Sequence, residues 1–296
     1  KSAMVKLNLD ESSRSARKCV VLWEKWGSEM RVGGAIYLDH QATTPVDPRV
    51  FAAMEPFLRD GFGNPHSADH AIGWKAAKAV EQATNEVAEL IGADADEVVF
   101  TSGATEANNL ALLGLARRAA GGKRNRILVS AIEHKCVLAA SRAIKEQLGF
   151  RVELLPVNSD GTIKLDHLKS RISDDVLVVS VMAVNNEIGT VQPIETISTL
   201  ARHHGVVFHC DAAQAPSAIN LSAFAEMVDL LSLSGHKMYG PKGIGALYIR
   251  REYQACIEPL IYGGGQQRNL RSGTIPVFLG VGMGAAASLI SHGDAE

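Results

Sequence analysis

The sequence predicts an α/β protein, a three-layer α/β/α domain built on a mostly parallel seven-stranded sheet. Three observations predict it. From Ile36 onward, helix-like and strand-like segments alternate. Several strand-like runs are continuously apolar rather than alternating, as in strands covered on both faces. The 296 residues, 46% hydrophobic and 21% charged, are enough to bury a large core.

The elements follow in order. Residues 48–58 form a first helix. Residues 74–91 form a second, since Trp74, Ala77, Val80, Val87 and Ile91 recur near helical spacing and Gly92 supplies a stop. Seven short apolar runs are the strands: 98–101, 127–130, 152–155, 176–184, 206–210, 230–234 and 246–249. Helical patterns lie between them at 105–118, 136–148 and 194–204. The run GVGMGAAA at 280–287 lacks the downstream acid of a dinucleotide loop, so it is read as small-residue helix packing. GPKGIG at 240–245 has no Gly-Lys-Ser/Thr and is a turn into the strand at Ala246. No internal repeat or low-complexity linker interrupts the pattern.

Composition excludes several classes. The net charge is −2 with both signs interspersed, which gives no attraction to nucleic acid or an anionic membrane. The longest weakly polar run, 275–290, is shorter than the roughly 20 residues of a membrane-crossing helix. Cys19, Cys136, Cys210 and Cys256 are far apart with no CxxC pair. That suggests reduced thiols in a cytosol-like compartment, and the mitochondrial matrix fits equally. The chain begins with Lys1, and residues 1–29 lack clear periodicity. Either Met30 is the natural start and an appendage precedes it, or these residues are a genuine extension.

In such folds ligands gather at the carboxyl ends of the strands. Five strand ends carry polar groups: Thr101, Ser102 and Gly103; His134; Asn185, Asn186 and Glu187; Asp211 and Gln214; Ser234, His236 and Lys237. A lysine is almost never fully buried unpaired, so Lys237 at a strand end makes sense as an amine that condenses with an aldehyde. Asp211, ending an apolar strand, needs a cationic or hydrogen-bonding partner, which a protonated pyridine nitrogen supplies. It could instead cap the next helix. A metal set of His209, Cys210 and Asp211 is disfavoured, because consecutive strand residues point in alternate directions. TSGATEANN at 101–109 opens a helix whose amides at Ala104 and Thr105 can seat a phosphate, though a plain helix cap reads the same way. Pyridoxal 5'-phosphate (PLP) brings the matching aldehyde, phosphate and ring nitrogen. His134 could stack on the ring or be a surface histidine. In GGGQQRNLRSGT at 263–274, Arg271 and Thr274 could bind anions.

The motifs SGHKMYGPKGIGALYIR, TSGATEANNLAL, AIEHKCVL, VNNEIGTVQPI, HCDAAQ and RSGT, with YLDHQATTPVDPRV and FGNPHS before them, resemble the cysteine desulfurases. These are aminotransferase class V proteins on fold type I of the PLP enzymes, and the resemblance runs from Tyr37 to about Leu289. It implies that Lys237 holds PLP through its amine and acts as a base. Asp211 pairs with the pyridinium, Gln214 bonds the ring oxygen, His134 stacks and moves protons, and Asn186 touches the cofactor. Ala104, Thr105, Ser234 and His236 bind the phosphate, and Thr274 reaches the phosphate of a neighbouring subunit in a homodimer. The implied reaction turns L-cysteine into L-alanine. The sulfur becomes a protein persulfide, bound for an acceptor or iron–sulfur scaffold protein, or for tRNA thiolation.

The implied domains are an extension at 1–34, an N-terminal segment of the family's small domain at 35–55, and the PLP-binding large domain at 56–296. The C-terminal small domain is absent. The family's Ser-Gly-Ser-Ala-Cys-type loop is not found in the sequence, and QQRNLRSGT carries Gln267 and Asn269 where an acid and a glycine are more usual. Two alternatives stay open: another class V aminotransferase or selenocysteine lyase, or a catalytically inactive PLP-binding scaffold or dimer partner.

Overall fold

The computed structural model describes residues 31–32 and 35–293. Contacts divide the chain between His40 and Gln41. In the first unit, β1 (Arg31–Val32) pairs antiparallel with β2 (Ala35–Ile36). The rest of the expected extension, including Cys19, lies outside the described residues.

The second unit holds α1 (Pro48–Arg59), α2 (Ala71–Ile91), β3 (Val98–Thr101), α3 (Ala104–Ala119), β4 (Arg126–Ser130), α4 (Lys135–Leu148), β5 (Arg151–Leu155), α5 (Leu165–Arg171), β6 (Val176–Ser180), α6 (Ile194–His203), β7 (Val207–Asp211), α7 (Phe224–Met227), β8 (Leu230–Ser234), β9 (Gly245–Ile249) and α8 (Val277–Ser291). The seven-stranded sheet has the order β3-β9-β8-β7-β6-β4-β5. Neighbours pair in parallel from β5 to β8, and β9 runs antiparallel to both β8 and β3. All seven strands fall where the apolar runs place them, within a residue or two at most ends. The exception is the run 176–184, whose strand ends at Ser180. Residues 181–184 stay buried, and the amides of Val181 and Ala183 bond the carbonyls of His209 and Asp211 along β7.

Two apolar clusters sandwich the sheet. One gathers Val99, Val129 and Leu247 against Leu110 and Leu115 of α3 and Ile144 of α4. The other gathers Phe100, Phe208 and Leu231 against Val87 of α2, Ile197 of α6 and Met283 of α8. The second helix starts at Ala71, ahead of the expected Trp74, because His70 caps it by accepting from the Gly73 amide at 3.1 Å. The run 280–287 is helical, as its small residues suggest. A Cβ on Gly284 would lie 2.6 Å from the Cα of Ala83 and one on Gly282 2.5 Å from the Met54 sulfur, so α8 can lie this close to α1 and α2 only with glycine there. That packing places α1, and with it residues 41–55, in the sheet-bearing unit. The helix α5 gave no clear periodic signal, being seven residues long. Among the described residues no helix is long and apolar enough to cross a membrane.

Candidate active site

The carboxyl ends of β6, β7 and β8 and the N-terminus of α3 face one cavity of about 550 Å³. It is lined by Ala104, Thr105, His134, Asn186, Asp211, Gln214, Ser234, His236 and Lys237, which is every residue the resemblance implies except Thr274, and Arg271 does not line it either.

One end of the cavity is the N-terminus of α3. Helix α3 begins at Ala104 after Gly103, and its first amides have no partner within the helix. Gly103 sits at φ 148°, ψ 175°, a conformation open only to glycine, and a Cβ there would meet nothing within 4 Å. Gly245 at the start of β9 lets that backbone pass, since its own Cβ would stand 2.6 Å from the Cα of Gly103. Thr105 is exposed to the cavity and does not cap the helix, so the helix-cap alternative falls. Ser234 and His236 stand opposite. Burial, then the charges of Lys237 and Lys242, push the His236 imidazolium pKa down, which keeps the ring neutral.

The other end is a buried carboxylate. Asp211 accepts from the Ala213 amide at 2.9 Å and from Asn108 Nδ2 at 2.7 Å. Burial raises its pKa despite those donors. A cation placed against it would relieve that cost. It caps no helix, because the next one, α7, starts at Phe224. Nor do its neighbours join it on a metal. His209 bonds the hydroxyls of Ser180 at 2.8 Å and Ser232 at 3.3 Å, and burial drives its pKa down to about 3.

Between the two ends stands Lys237, half-buried, in a 3-10 turn directly after β8. Its Nζ donates to the Gln41 carbonyl at 2.5 Å, and Gln214 Nε2 donates to the same oxygen at 2.8 Å. His134 caps α4. Its Nδ1 accepts from the Cys136 amide at 3.2 Å, so the neutral ring carries its proton on Nε2.

Several residues of the site escaped sequence reasoning. Asn108 is fully buried and bridges Asp211 to Cys136, whose sulfur lies 3.4 Å from Asn108 Nδ2 and 3.0 Å from His134 Nδ1. Glu133 bonds the Met182 amide, and burial, reinforced by the Asp211 charge, holds its pKa well above the carboxylate range. Asn185, already among the strand-end polar groups of the sequence but with no role given it, ties the loop carrying Asn186 to the loop carrying His134 through the Ile132 carbonyl at 2.9 Å. A polar residue beside each predicted one was the available signal, but it does not distinguish lining from floor.

Arg271, read from the sequence as able to bind an anion, is paired within the protein. It holds Glu106 at 2.8 Å, and although burial opposes it, that pairing and the Ser102 hydrogen bonds lower the Glu106 pKa. Gln267 explains one departure from the usual family pattern. Its side chain accepts from the Phe100 amide at 2.6 Å and donates to the Phe100 carbonyl at 2.9 Å, covering the free edge of β3, and a carboxylate could not make the second bond. Asn269 has φ 62°, a conformation asparagine tolerates better than most residues.

An amine, a buried carboxylate and a helix N-terminus converge on one cavity of a three-layer α/β domain. The aminotransferase class-V family matches over residues 36–296, and the chain belongs to that family. It is 53% identical over 254 residues to the cysteine desulfurase IscS of Rickettsia felis, covering 86% of this chain and 62% of that protein. The chain thus spans less than two thirds of that relative. Among solved structures it resembles a NifS-like protein (TM-score 0.83, 41% identity, 86% of this chain and 69% of that one) and SspA in complex with cysteine (TM-score 0.79, 44% identity, 85% and 72%).

Proposed function

We propose that this chain carries the cofactor-binding part of a PLP-dependent cysteine desulfurase that takes sulfur from L-cysteine and leaves L-alanine. The observation that carries the reading is the convergence of Lys237, Asp211 and the α3 N-terminus on one cavity. The residues fit PLP at three points: amine to aldehyde, carboxylate to ring nitrogen, and open glycine-led helix terminus to phosphate. The likeness to cysteine desulfurases, and to a protein solved with cysteine, supports the choice of substrate.

When bound, the cofactor supplies an aldehyde for the substrate amine and an electron-withdrawing ring. Lys237 Nζ would take the proton from the substrate α-carbon. Asp211 would hold a proton on the ring nitrogen, and its burial would make that bond worth more than it would be in water. Gln214 Nε2 would donate to the cofactor's oxygen, and His134 would offer Nε2–H from the cavity wall. Ala104, Thr105, Ser234 and His236 would hold the phosphate, and Asn186 would line the wall beside the cofactor. Thr274, which does not line this cavity, serves the phosphate of a second subunit in a homodimer. The substrate sulfur would pass to an attacking cysteine thiolate, forming a persulfide as the C–S bond breaks and its electron pair stays on the substrate carbon, and that persulfide would supply an acceptor or iron–sulfur scaffold protein.

The visible spectrum of the purified chain with PLP, before and after L-cysteine, tests this reading. A band that is lost in Lys237→Ala and changes with cysteine is expected. A band equally strong without the lysine, or none at all, would overturn it.

A further inference from the structure

The strand-end turn that carries Lys237 is not held by the sheet alone. Its outer side is gripped by residues 41–47, nearly two hundred positions earlier in the chain. Thr44, only 4% exposed, is the centre of that grip. Its amide donates to the His236 carbonyl at 2.9 Å and its hydroxyl donates to the same oxygen at 3.0 Å. The hydroxyl in turn accepts from the Tyr239 amide at 2.9 Å. One side chain therefore bonds the residue before Lys237 and the residue two after it, and its donor and acceptor capacity are both used. The Asp47 amide closes the bracket on the Tyr239 carbonyl at 2.9 Å.

The turn needs such a bracket. Tyr239 has φ 60°, a left-handed conformation that is unfavourable for a bulky residue and persists only where the surroundings impose it. Relaxation of Tyr239 would swing the backbone two residues from the amine. The same segment touches the other functional groups: Thr43 Oγ1 lies 3.0 Å from His236 Nδ1, and the Gln41 carbonyl receives both Lys237 Nζ and Gln214 Nε2.

We infer that Thr44 is a positioning residue for Lys237, fixing the turn from which the amine reaches the cofactor. The inference rests on the cofactor reading above. The experiment compares Thr44→Val, Thr44→Ala and Thr44→Ser with wild type for PLP dissociation constant and for the pH midpoint of the Lys237-dependent band. Ser198→Ala, which removes another buried hydroxyl bond, to the Met227 carbonyl and away from the cavity, is the stability control. Loss of the hydroxyl is expected to weaken PLP binding about tenfold, the equivalent of one net hydrogen bond. The band's pH midpoint should shift, Thr44→Ser should return both readouts to near wild type, and Ser198→Ala should move neither. Thr44→Ala carries the comparison if the valine variant does not fold. If wild type shows the band and the hydroxyl-free variants match it in affinity and midpoint, or if Ser198→Ala reproduces their losses, the inference falls while the cofactor reading stands. If wild type lacks the band, both fall.

Discussion

The two ends of the central sheet treat charge in opposite ways. At the amino ends of β4, β5 and β6, Arg126 is 9% exposed and its two terminal nitrogens bond Glu153 at 3.2 Å, Asp175 at 2.9 Å, Ser173 at 2.7 Å and the Arg171 carbonyl at 2.6 Å. The Ser173 hydroxyl, and Arg126 and Arg151 against the opposing effect of burial, bring the Asp175 pKa to about 2. At the carboxyl ends, burial pushes Asp211 and Glu133 the other way. The Glu133 Oε2 and Asn108 Oδ1 atoms are buried without a protein partner, as is Arg126 Nε at the amino end. At the amino end the protein pairs both terminal nitrogens of its buried cation itself. The other end holds polar groups whose cost a ligand would relieve, which is how a binding site differs from a structural network built on the same strands.

The largest expected effect lies at the amino end. Arg126→Ala removes a mostly buried guanidinium from Glu153 and Asp175, which keep Arg171 and Arg151; it should cost about 2–3 kcal/mol in denaturant unfolding, the scale of lost hydrogen bonds to charged groups. A loss below 1 kcal/mol would mean that the network is solvated and the contrast false. Next comes Asp211→Asn, which keeps an acceptor for the Ala213 amide but gives up the charge. PLP affinity should drop about 10- to 100-fold, the scale of a charge-assisted bond, while stability without cofactor should hold or rise. A titration following PLP absorbance and a melt of the cofactor-free chain read both.

Glu133→Gln sharpens the comparison through pH. Glu133 holds its proton in the folded chain well above the ordinary value near 4.5, so the folded state binds more protons than the unfolded. Its favourable contribution is full below that value and is lost as pH rises through the folded pKa. Glutamine does not titrate and still accepts from the Met182 amide. The variant should match wild type near pH 4 and exceed it by about 1–3 kcal/mol at pH 8, the cost of a poorly satisfied buried group. Parallel stability curves across that range would show that Glu133 is ionised and paired. The smallest effect is at Arg151, 64% exposed although it lies 2.6 Å from Asp175, where alanine should change stability by less than about 1 kcal/mol.

Much of this was legible in the sequence. Continuous apolar runs gave seven strands, because strands buried on both faces have no polar side to show. The strand-end polar residues gave the site lining, because a parallel sheet sends all its carboxyl ends to one rim. The helix α5 was too short for a period to emerge. The pairing of Arg271 with Glu106 was not legible, because an arginine in a glycine-rich loop looks the same whether it faces solvent or a glutamate 165 positions away.

The sequence by itself determined which chemical groups the site would contain: an amine, a carboxylate, a helix-borne anion seat and a histidine, each fixed by its local position at the end of a strand or the start of a helix. Only the tertiary structure decided what holds them. The Asn108–Asp211 bond, the Gln267 clamp on β3 and the Thr44 bracket around Lys237 each join residues more than a hundred positions apart. Local pattern carries no record of such pairs, because their geometry exists only after the helices have packed on the sheet.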